Sequence, residues 1–221
     1  MASPPPTERT RVQRLPARAA YERPVIEAIL DEALFCHVGF VVDGQPYVIP
    51  AVHARVGGDL FLHGSAASRM LRTLAGGVPV CVTATLLDGL VLARSAFHHS
   101  LNYRSVVILG TATELADDDK AAALQALVEH VVPGRSTDVR PPSAVELRAT
   151  RVLRVPLAEA SAKIRTGPPL DDAEDLARPC WAGEVPLRLV AGAAIPDRRS
   201  PPRGDPPPPA VTPYRRPRER A

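Results

Sequence analysis

The sequence predicts a mainly β fold with inserted helices, arranged as an antiparallel barrel. Two tight-turn dipeptides, Asp43-Gly44 and Gly57-Gly58, join neighbouring apolar runs, and such turns typically connect antiparallel strands. The regular strand–helix alternation of a parallel sheet is missing, which favours strands paired through hairpins. Nothing in the composition divides the body of the chain, and we expect one domain over residues 19–190.

The composition is that of a soluble globular protein. The chain has 221 residues, of which 45% are hydrophobic and 4% aromatic, and this is enough to bury a core. No long apolar run indicates a membrane span, and the first residues lack the apolar stretch of a secretory signal. The three cysteines, Cys36, Cys81 and Cys180, fit neither a disulfide framework nor a CxxC metal site. We therefore expect a cytoplasmic protein with no membrane partner.

The positive charge of the chain lies at its two ends. Residues 196–221 contain seven arginines against three acidic residues, and residues 1–18 contain four arginines against one glutamate. The whole chain has a net charge of +3, so the body between these ends is mildly acidic. Ends rich in proline and arginine bury too little apolar surface to fold, which predicts disordered tails over 1–18 and 196–221. We favour solvated termini here over nucleic-acid binding, which is the alternative.

The first half of the body is predicted to contain two helices and three strands. Pro24 is acceptable in the first turn of a helix, and apolar residues on one face follow it: Val25, Ile26, Ile29, Leu30 and Ala33. Strands over 35–42, 46–56 and 59–63 come next. Pro50 inside the second strand indicates an edge, a bulge or an approaching ligand. A short helix over 66–75 ends at Gly76-Gly77.

The second half is predicted to contain further strands around one longer helix. The acidic start, the apolar face and the terminal Pro133-Gly134 predict that helix over 117–131. Asp88-Gly89 is interpreted as a third tight turn. The remaining expected elements are strands over 78–87, 90–93, 106–113 and 145–157, and a weakly helical segment over 158–164.

A phosphate-binding turn is one interpretation of the segment from His63 to Arg69. An apolar strand stops at His63-Gly64-Ser65, and a helical pattern begins directly afterwards. Free N–H groups of a helix start, small side chains and one arginine together suit a phosphate group. The alternative is an ordinary turn with a serine N-cap and a solvated arginine.

Other common chemistries find no support in the motifs. The six histidines show no His-x-x-x-His spacing, and no cysteine lies near them at zinc-finger spacing, so no metal site is expected. The G-x-S-x-G elbow, the phosphate-binding P-loop and the G-x-G-x-x-G fingerprint are all missing. A role of the neighbouring residues His98 and His99 as haem or metal ligands is a less favoured alternative.

Several motifs together resemble a known family. His63-Gly64-Ser65 followed by Ser68-Arg69, after the strand Gln45-Pro46-Tyr47-Val48-Ile49-Pro50, resembles the pyridoxamine 5′-phosphate oxidase-like flavin-nucleotide-binding proteins. The segments over 87–100, 102–107 and 181–186 resemble the branch of that family with the nitroimidazole-resistance proteins. The resemblance covers roughly residues 15–190.

The resemblance implies a split β-barrel homodimer with two FMN molecules at the subunit interface. It implies that Ser65, Ser68 and Arg69 hold the FMN phosphate beside Gly64. The Thr83 hydroxyl is expected to donate a hydrogen bond to phosphate or ribityl oxygens. The isoalloxazine ring is expected along the strand that contains Ile49, Pro50, Ala51 and Val52. His63 is expected near the ring, and a catalytic role for it is a hypothesis. Candidates for contact with the flavin from the other subunit are Asn102, Tyr103, Arg104, Lys163, Arg165 and Trp181.

The same resemblance also limits the expected reaction. After Trp181-x-Gly183-x-x-Pro186, the name-giving oxidases continue with a second tryptophan and an Arg-x-His segment that bind the substrate, and this chain continues with Ala191-Gly192-Ala193 instead. We therefore expect an FMN-dependent oxidoreductase that acts on an unidentified small molecule and not on pyridoxamine phosphate. The alternatives are a non-enzymatic flavin or haem carrier on the same fold, and a deazaflavin in place of FMN.

Overall fold

The computed structural model describes residues 6–197, so the predicted tail over 196–221 lies almost entirely outside the described residues. The four α-helices of the described part are Arg23–Glu32 (α1), Arg69–Ala75 (α2), Asp117–Val131 (α3) and Ala144–Ala149 (α4). Its ten strands are Ala19–Ala20 (β1), Phe35–Val42 (β2), Gln45–Val56 (β3), Asp59–Ser65 (β4), Pro79–Leu92 (β5), Ser100–Thr111 (β6), Thr113–Glu114 (β7), Thr150–Pro156 (β8), Glu159–Arg165 (β9) and Gly183–Pro186 (β10). Among these residues no helix is both long and apolar enough to cross a membrane.

The strands form one antiparallel sheet that β3 divides into two parts. The first eight residues of β3 pair with β2, up to Val52 opposite Phe35, and its last four residues pair with β4, beginning with His53 opposite Leu62. The strand order is β1-β9-β6-β5-β2-β3-β4-β8-β7, with β10 added beside β5. The sheet is not closed, because β1 and β7 are both edges. The predicted mainly β, split-barrel fold with inserted helices is confirmed.

The core lies between the two parts of the sheet and against α1 and α2. Alternate residues of the strands face it, as in β5, where Val80, Val82, Ala84 and Leu86 are buried. Side chains from both helices complete this core, including Ile29 and Leu30 of α1 and Leu71 and Leu74 of α2. Burial of one such side chain contributes about 1.5–3 kcal/mol, so this shared core holds the helices on the sheet.

The segment predicted as a strand over 145–157 is a helix in its first part. Ser143 caps α4, since its Oγ accepts the Glu146 N–H at 3.4 Å while the Glu146 carboxylate accepts the Ser143 N–H at 2.7 Å. This reciprocal capping box satisfies two backbone donors and favours the helix locally. The strand prediction is therefore wrong up to Ala149 and correct for β8.

Two further expectations near the sheet are also wrong. The weakly helical segment over 158–164 forms β9, because its small residues alternate against the core and pair along β6. Asp88-Gly89 does not turn the chain, and β5 runs through it with a shift in register between Leu87 and Gly89. The Asp88 carboxylate instead accepts from Arg104 at 2.7 Å and 2.8 Å. Tertiary partners override the local signal in both places.

The N-terminal segment contacts β9 at several points. Thr7 and Arg9 both donate hydrogen bonds to the Glu159 carboxylate, and the Lys163 ammonium donates to the Arg14 carbonyl at 2.9 Å. These residues belong to the segment over 1–18 that the sequence predicts as a tail, of which the structure describes residue 6 onward. The contacts place that segment along the edge of the sheet where β1 pairs with β9.

Candidate functional site

The free edge of β3 is the first element of the candidate site. Residues 45–52 pair with β2 on one side, and β4 joins β3 only from His53 onward, so no described strand lies along the other side. Ile49, Pro50, Ala51 and Val52 all lie in this part of β3. Proline lacks an N–H donor and suits such an edge, so Pro50 fits the edge interpretation of the sequence.

Thr83 shares one row of the sheet with Pro50. Pro50 lies opposite His37 of β2, and His37 lies opposite Thr83 of β5. Directly paired residues point to the same face of a sheet, so these three side chains share the outer face. Adjacent strands are about 4.8 Å apart, which places Thr83 about 10 Å from Pro50.

His63 lies near the end of β4, opposite Val152 of β8. The Nδ1 atom of its imidazole is buried and has no hydrogen-bond partner in the described part of the chain. Burial lowers the pKa of His63 below its ordinary value, so the ring is held mainly in its neutral form at pH 7. A neutral imidazole can bind a metal ion or accept a proton.

The turn after His63 brings two hydroxyl groups close to the start of α2. The Ser65 Oγ accepts the Ala67 N–H at 3.2 Å, and the Ser68 Oγ accepts the Leu71 N–H at 3.5 Å as the N-cap of α2. Both hydroxyls can still donate a hydrogen bond outward. A Cβ at Gly64 would lie 3.1 Å from Leu71, so a small residue suits this close approach.

Arg69 supplies an exposed positive charge next to this turn. No described acidic residue forms an ion pair with it. Its guanidinium lies over the ring of Tyr47, with 4.1 Å between the Arg69 Cζ and the ring centroid. The sequence prediction of the site did not include Tyr47, although this aromatic residue stands in the β3 motif that led to the family.

A cavity of about 1130 Å³ lies beside this region, and His63 and Val52 form part of its wall. The rest of the wall comes mainly from α3 and the loop after it, including Leu124, Val128, Val131, Arg135, Arg140 and Glu146. The lining is mostly apolar, with the two arginines and one glutamate as charged groups. The sequence signal for this wall is the apolar face of α3, which the sequence analysis predicted without linking it to a site.

A second group of predicted site residues meets between β6, β9 and β10. The Asn102 amide donates to Glu184 at 2.6 Å, and the Arg165 guanidinium donates to the Asn102 side chain and to the Gly167 carbonyl. Desolvation by burial lowers the pKa of Arg165 from its ordinary value, and its Nε has no partner among the described residues. Tyr103 lies opposite Arg165 in the sheet.

The other three predicted contact residues lie in different surroundings. Arg104 is buried on the core side and forms ion pairs with Glu32 and Asp88, which raise its pKa above the ordinary value. Lys163 donates to the Arg14 carbonyl, as described above. Trp181 is 65% exposed and packs on Gly183. Within one chain, none of these residues forms a described hydrogen bond or ion pair with the turn from Ser65 to Arg69.

The outer face of the sheet exposes several apolar side chains. Val48 is 67% exposed, Phe35 53% and Leu87 43%. Of the adjacent histidines His98 and His99, His98 pairs with Asp172 at 3.1 Å and the His99 Nδ1 lies 2.9 Å from the Ser95 carbonyl oxygen. No group of three or more potential metal ligands occurs among the described residues.

The structure and the sequence of this chain are similar to those of two proteins whose descriptions mention a flavin. The flavocytochrome Anf3 from Azotobacter vinelandii is 41% identical with a TM-score of 0.88, over 94% of this chain and 97% of that one. An FAD and haem-binding protein from Mycobacterium smegmatis is 38% identical with a TM-score of 0.85, over 88% and 96% of the two chains. No curated protein sequence matches the chain.

A more distant structure shares the fold alone. It is a proposed 5-nitroimidazole antibiotic resistance protein from Bacteroides thetaiotaomicron, 24% identical with a TM-score of 0.55, over 66% of this chain and 86% of that one. The family model described as pyridoxamine 5′-phosphate oxidase matches residues 22–164, which is more than half of the chain. The chain therefore belongs to the pyridoxamine 5′-phosphate oxidase family, as its motifs predicted.

Proposed function

We propose that the protein is a redox protein that binds a flavin nucleotide between the free edge of β3 and the turn after β4. The observation that carries this proposal is Arg69, a cation without a described acidic partner, next to the hydroxyls of Ser65 and Ser68. These groups fit a phosphate, because a guanidinium and two hydroxyls can each donate to its oxygens. The two relatives described as a flavocytochrome and an FAD and haem-binding protein support a flavin.

The sequence resemblance points to FMN, and the mycobacterial relative is described as binding FAD. FAD contains the FMN moiety, so the same phosphate contacts serve both nucleotides. The bound flavin would supply hydride or electron transfer, and the chain would orient it. In this proposal the backbone of β3 from Ile49 to Val52 lies along the ring system, with Thr83 as a hydroxyl donor on the same face.

Flavin release and a matched pair of arginine variants test this proposal. The purified protein, reconstituted with FMN and with FAD in parallel, should show flavin absorption, and chromatography after denaturation should identify the nucleotide. Arg69→Ala removes a charge-assisted contact of about 1.5–3 kcal/mol and should raise the flavin Kd about tenfold or more. Arg72→Ala removes another exposed arginine of α2 and serves as the control. Protein that binds neither nucleotide, or equal effects of the two variants, would refute the proposal.

We further propose that two copies of the chain form a homodimer through the outer face of the sheet. The exposed Phe35, Val48 and Leu87 support this arrangement, because apolar side chains grouped on one face favour association. A second copy would also bring residues such as Tyr103 towards the flavin site. Sedimentation should show a dimer that Val48→Asp weakens, whereas a monomeric wild-type protein at micromolar concentration would contradict it.

Haem binding in the cavity lined by α3 is a second candidate function. The observation that favours it is the unpartnered imidazole of His63 in a mostly apolar cavity of about 1130 Å³. A histidine is a common haem ligand, and the mostly apolar wall suits the porphyrin ring. The residues therefore fit a haem, which would supply one-electron chemistry there.

Histidine variants distinguish haem binding at His63 from haem binding at His98 and His99, which are neighbours in the sequence. Haem titration followed by absorption should show a Soret band that His63→Ala removes or shifts. His99→Ala changes an exposed histidine whose ring contacts the Ser95 carbonyl, and its spectrum should match that of the wild type. A Soret band unchanged in His63→Ala, and lost in His99→Ala, would place the haem at the other pair.

We infer that pyridoxamine 5′-phosphate is not the natural substrate. Beyond β10 the described chain has no regular structure and lacks the second tryptophan and the Arg-x-His segment of the name-giving oxidases. A flavin-loaded enzyme that oxidises pyridoxamine 5′-phosphate at a rate typical of enzymes would overturn this inference.

A further inference from the structure

The guanidinium of Arg69 is held by an aromatic ring instead of by an acid. Its Cζ lies 4.1 Å from the centroid of the Tyr47 ring, and its Nη1 is 3.5 Å from the Tyr47 hydroxyl. An arginine on a helix surface normally samples many rotamers. The contact with Tyr47 restricts it to orientations that lie back over β3.

Tyr47 is itself fixed by its neighbours. It pairs with Phe40 across β2 and β3, and the two rings stack with 5.6 Å between centroids and an angle of 20° between planes. The side chain is half-buried and packs against the core cluster. The ring is therefore a rigid support for whatever lies on its outer surface.

The contact with the face of the ring leaves nearly all the donors of Arg69 free, since among the described residues only its Nη1 makes a contact, 3.5 Å long, with the Tyr47 hydroxyl. The attraction acts between the cation and the π electrons, and it uses none of the five N–H groups in a strong hydrogen bond. An acidic partner would instead neutralise the guanidinium and compete with an anionic ligand. Tyr47 thus orients Arg69 without reducing its capacity for phosphate.

We propose that Tyr47 is a positioning residue for phosphate recognition, which holds Arg69 ready to bind the phosphate of the flavin nucleotide. This inference rests on the proposed function, in which Arg69 contacts that phosphate. Tyr47 also lies in β3, two residues before Ile49, so one strand carries both the support for Arg69 and the backbone proposed for the ring system. The resulting selectivity is for phosphorylated flavins over riboflavin.

Affinity measurements with FMN and riboflavin test the role of Tyr47. Fluorescence titration is carried out on the wild type, Tyr47→Phe and Tyr47→Leu, each with Arg69 and with Arg69→Ala. Loss of the ring in Tyr47→Leu should raise the Kd of FMN about fivefold, the fold-change expected for a cation–π contact at a partly exposed site. Tyr47→Phe keeps the ring and should bind FMN like the wild type.

Riboflavin has no phosphate, so its Kd should be the same in all the Tyr47 variants. In the Arg69→Ala background, Tyr47→Leu should cause no further loss of FMN affinity, because the group that it orients is gone. Thermal unfolding checks that each variant is folded, and Tyr47→Met replaces Tyr47→Leu if the latter is not.

The possible outcomes separate this inference from the proposed function. A wild type that binds no flavin refutes the proposed function and the role of Tyr47 with it. FMN binding that Arg69→Ala leaves unchanged refutes the phosphate contact and therefore also this role. FMN binding that depends on Arg69, together with equal losses for FMN and riboflavin in Tyr47→Leu, refutes the positioning role alone.

Discussion

His53 makes the stability of the protein sensitive to acid. Its side chain is fully buried, its Nε2 lies 3.0 Å from the Leu30 carbonyl, and its Nδ1 has no described partner. The ring of His130 lies 4.8 Å away, centroid to centroid. Burial and then the nearby His130 lower the pKa of His53 to about 4, against smaller opposite effects of the Leu30 carbonyl and Asp31.

The size of the effect follows from the difference between the folded and unfolded pKa values. The unfolded histidine has a pKa of about 6.5, so below that pH the unfolded chain takes up a proton that the folded chain rejects. The contribution of neutral His53 to the free energy of unfolding is therefore fully present above about pH 6.5, and it is lost as the pH falls towards 4. A difference of about 2.5 pKa units corresponds to a loss of about 3 kcal/mol in the free energy of unfolding.

Urea unfolding of the wild type and His53→Gln between pH 7.5 and 4 measures this loss. Glutamine keeps an N–H donor for the Leu30 carbonyl and cannot titrate. Because only the pH dependence of the free energy of unfolding is compared, a pH-independent difference between the two proteins does not affect the result. The wild type should lose about 3 kcal/mol more than the variant over this range. His99→Gln, which changes an exposed histidine, should follow the wild type. Parallel curves for the wild type and His53→Gln would refute the reasoning.

Three further substitutions test the packing and the ion pairs. Leu62→Ala opens a cavity at a fully buried site and should lower the free energy of unfolding by about 2–5 kcal/mol in urea, so a loss below about 1 kcal/mol would contradict the core assignment. Glu32→Gln removes one of the two carboxylates on buried Arg104 and should cost about 1–3 kcal/mol in the same assay, whereas unchanged stability would show that Asp88 alone suffices. Ser143→Ala removes the cap of α4 and should cost about 0.5–2 kcal/mol in the same assay, whereas unchanged stability would contradict the capping role.

Local chemistry explains which parts of the fold could be predicted. Asp43-Gly44 has two left-handed residues, with φ of 50° and 80°, and this demand for Asp and Gly is visible in the sequence. The strand predicted over 35–42 accordingly matches β2. By contrast, β9 consists mainly of small and polar residues with no strong preference for a strand. Its strand conformation depends on pairing with β6, 50 to 62 positions away.

The same distinction applies to the candidate site. The turn from His63 to Arg69 is one continuous segment, so its serines and arginine could be recognised together. The cavity wall joins Val52 and His63 to α3, and nothing in the sequence indicates that these distant segments meet. The apolar face of α3 resembles a core face, yet Val128 is 37% exposed because part of that face lines the cavity. The residues expected to contact the flavin from a partner subunit can be placed at the site only when a second chain is present.

The two proposed sites share β4, and this gives His63 two roles that experiment can separate. His63 lines the cavity, and Ser65 lies two residues later in the turn that we propose binds phosphate. Both side chains therefore point to one face of the strand, about 7 Å apart. The lowered pKa of His63 keeps its imidazole neutral near pH 7, which suits a haem ligand or a proton acceptor and disfavours a general acid. If His63 is a haem ligand, His63→Ala loses haem and keeps its flavin content. If His63 acts in flavin chemistry, haem-free, flavin-loaded His63→Ala loses flavin-dependent turnover relative to the wild type in the same haem-free state. Equal turnover of the two proteins excludes the catalytic role.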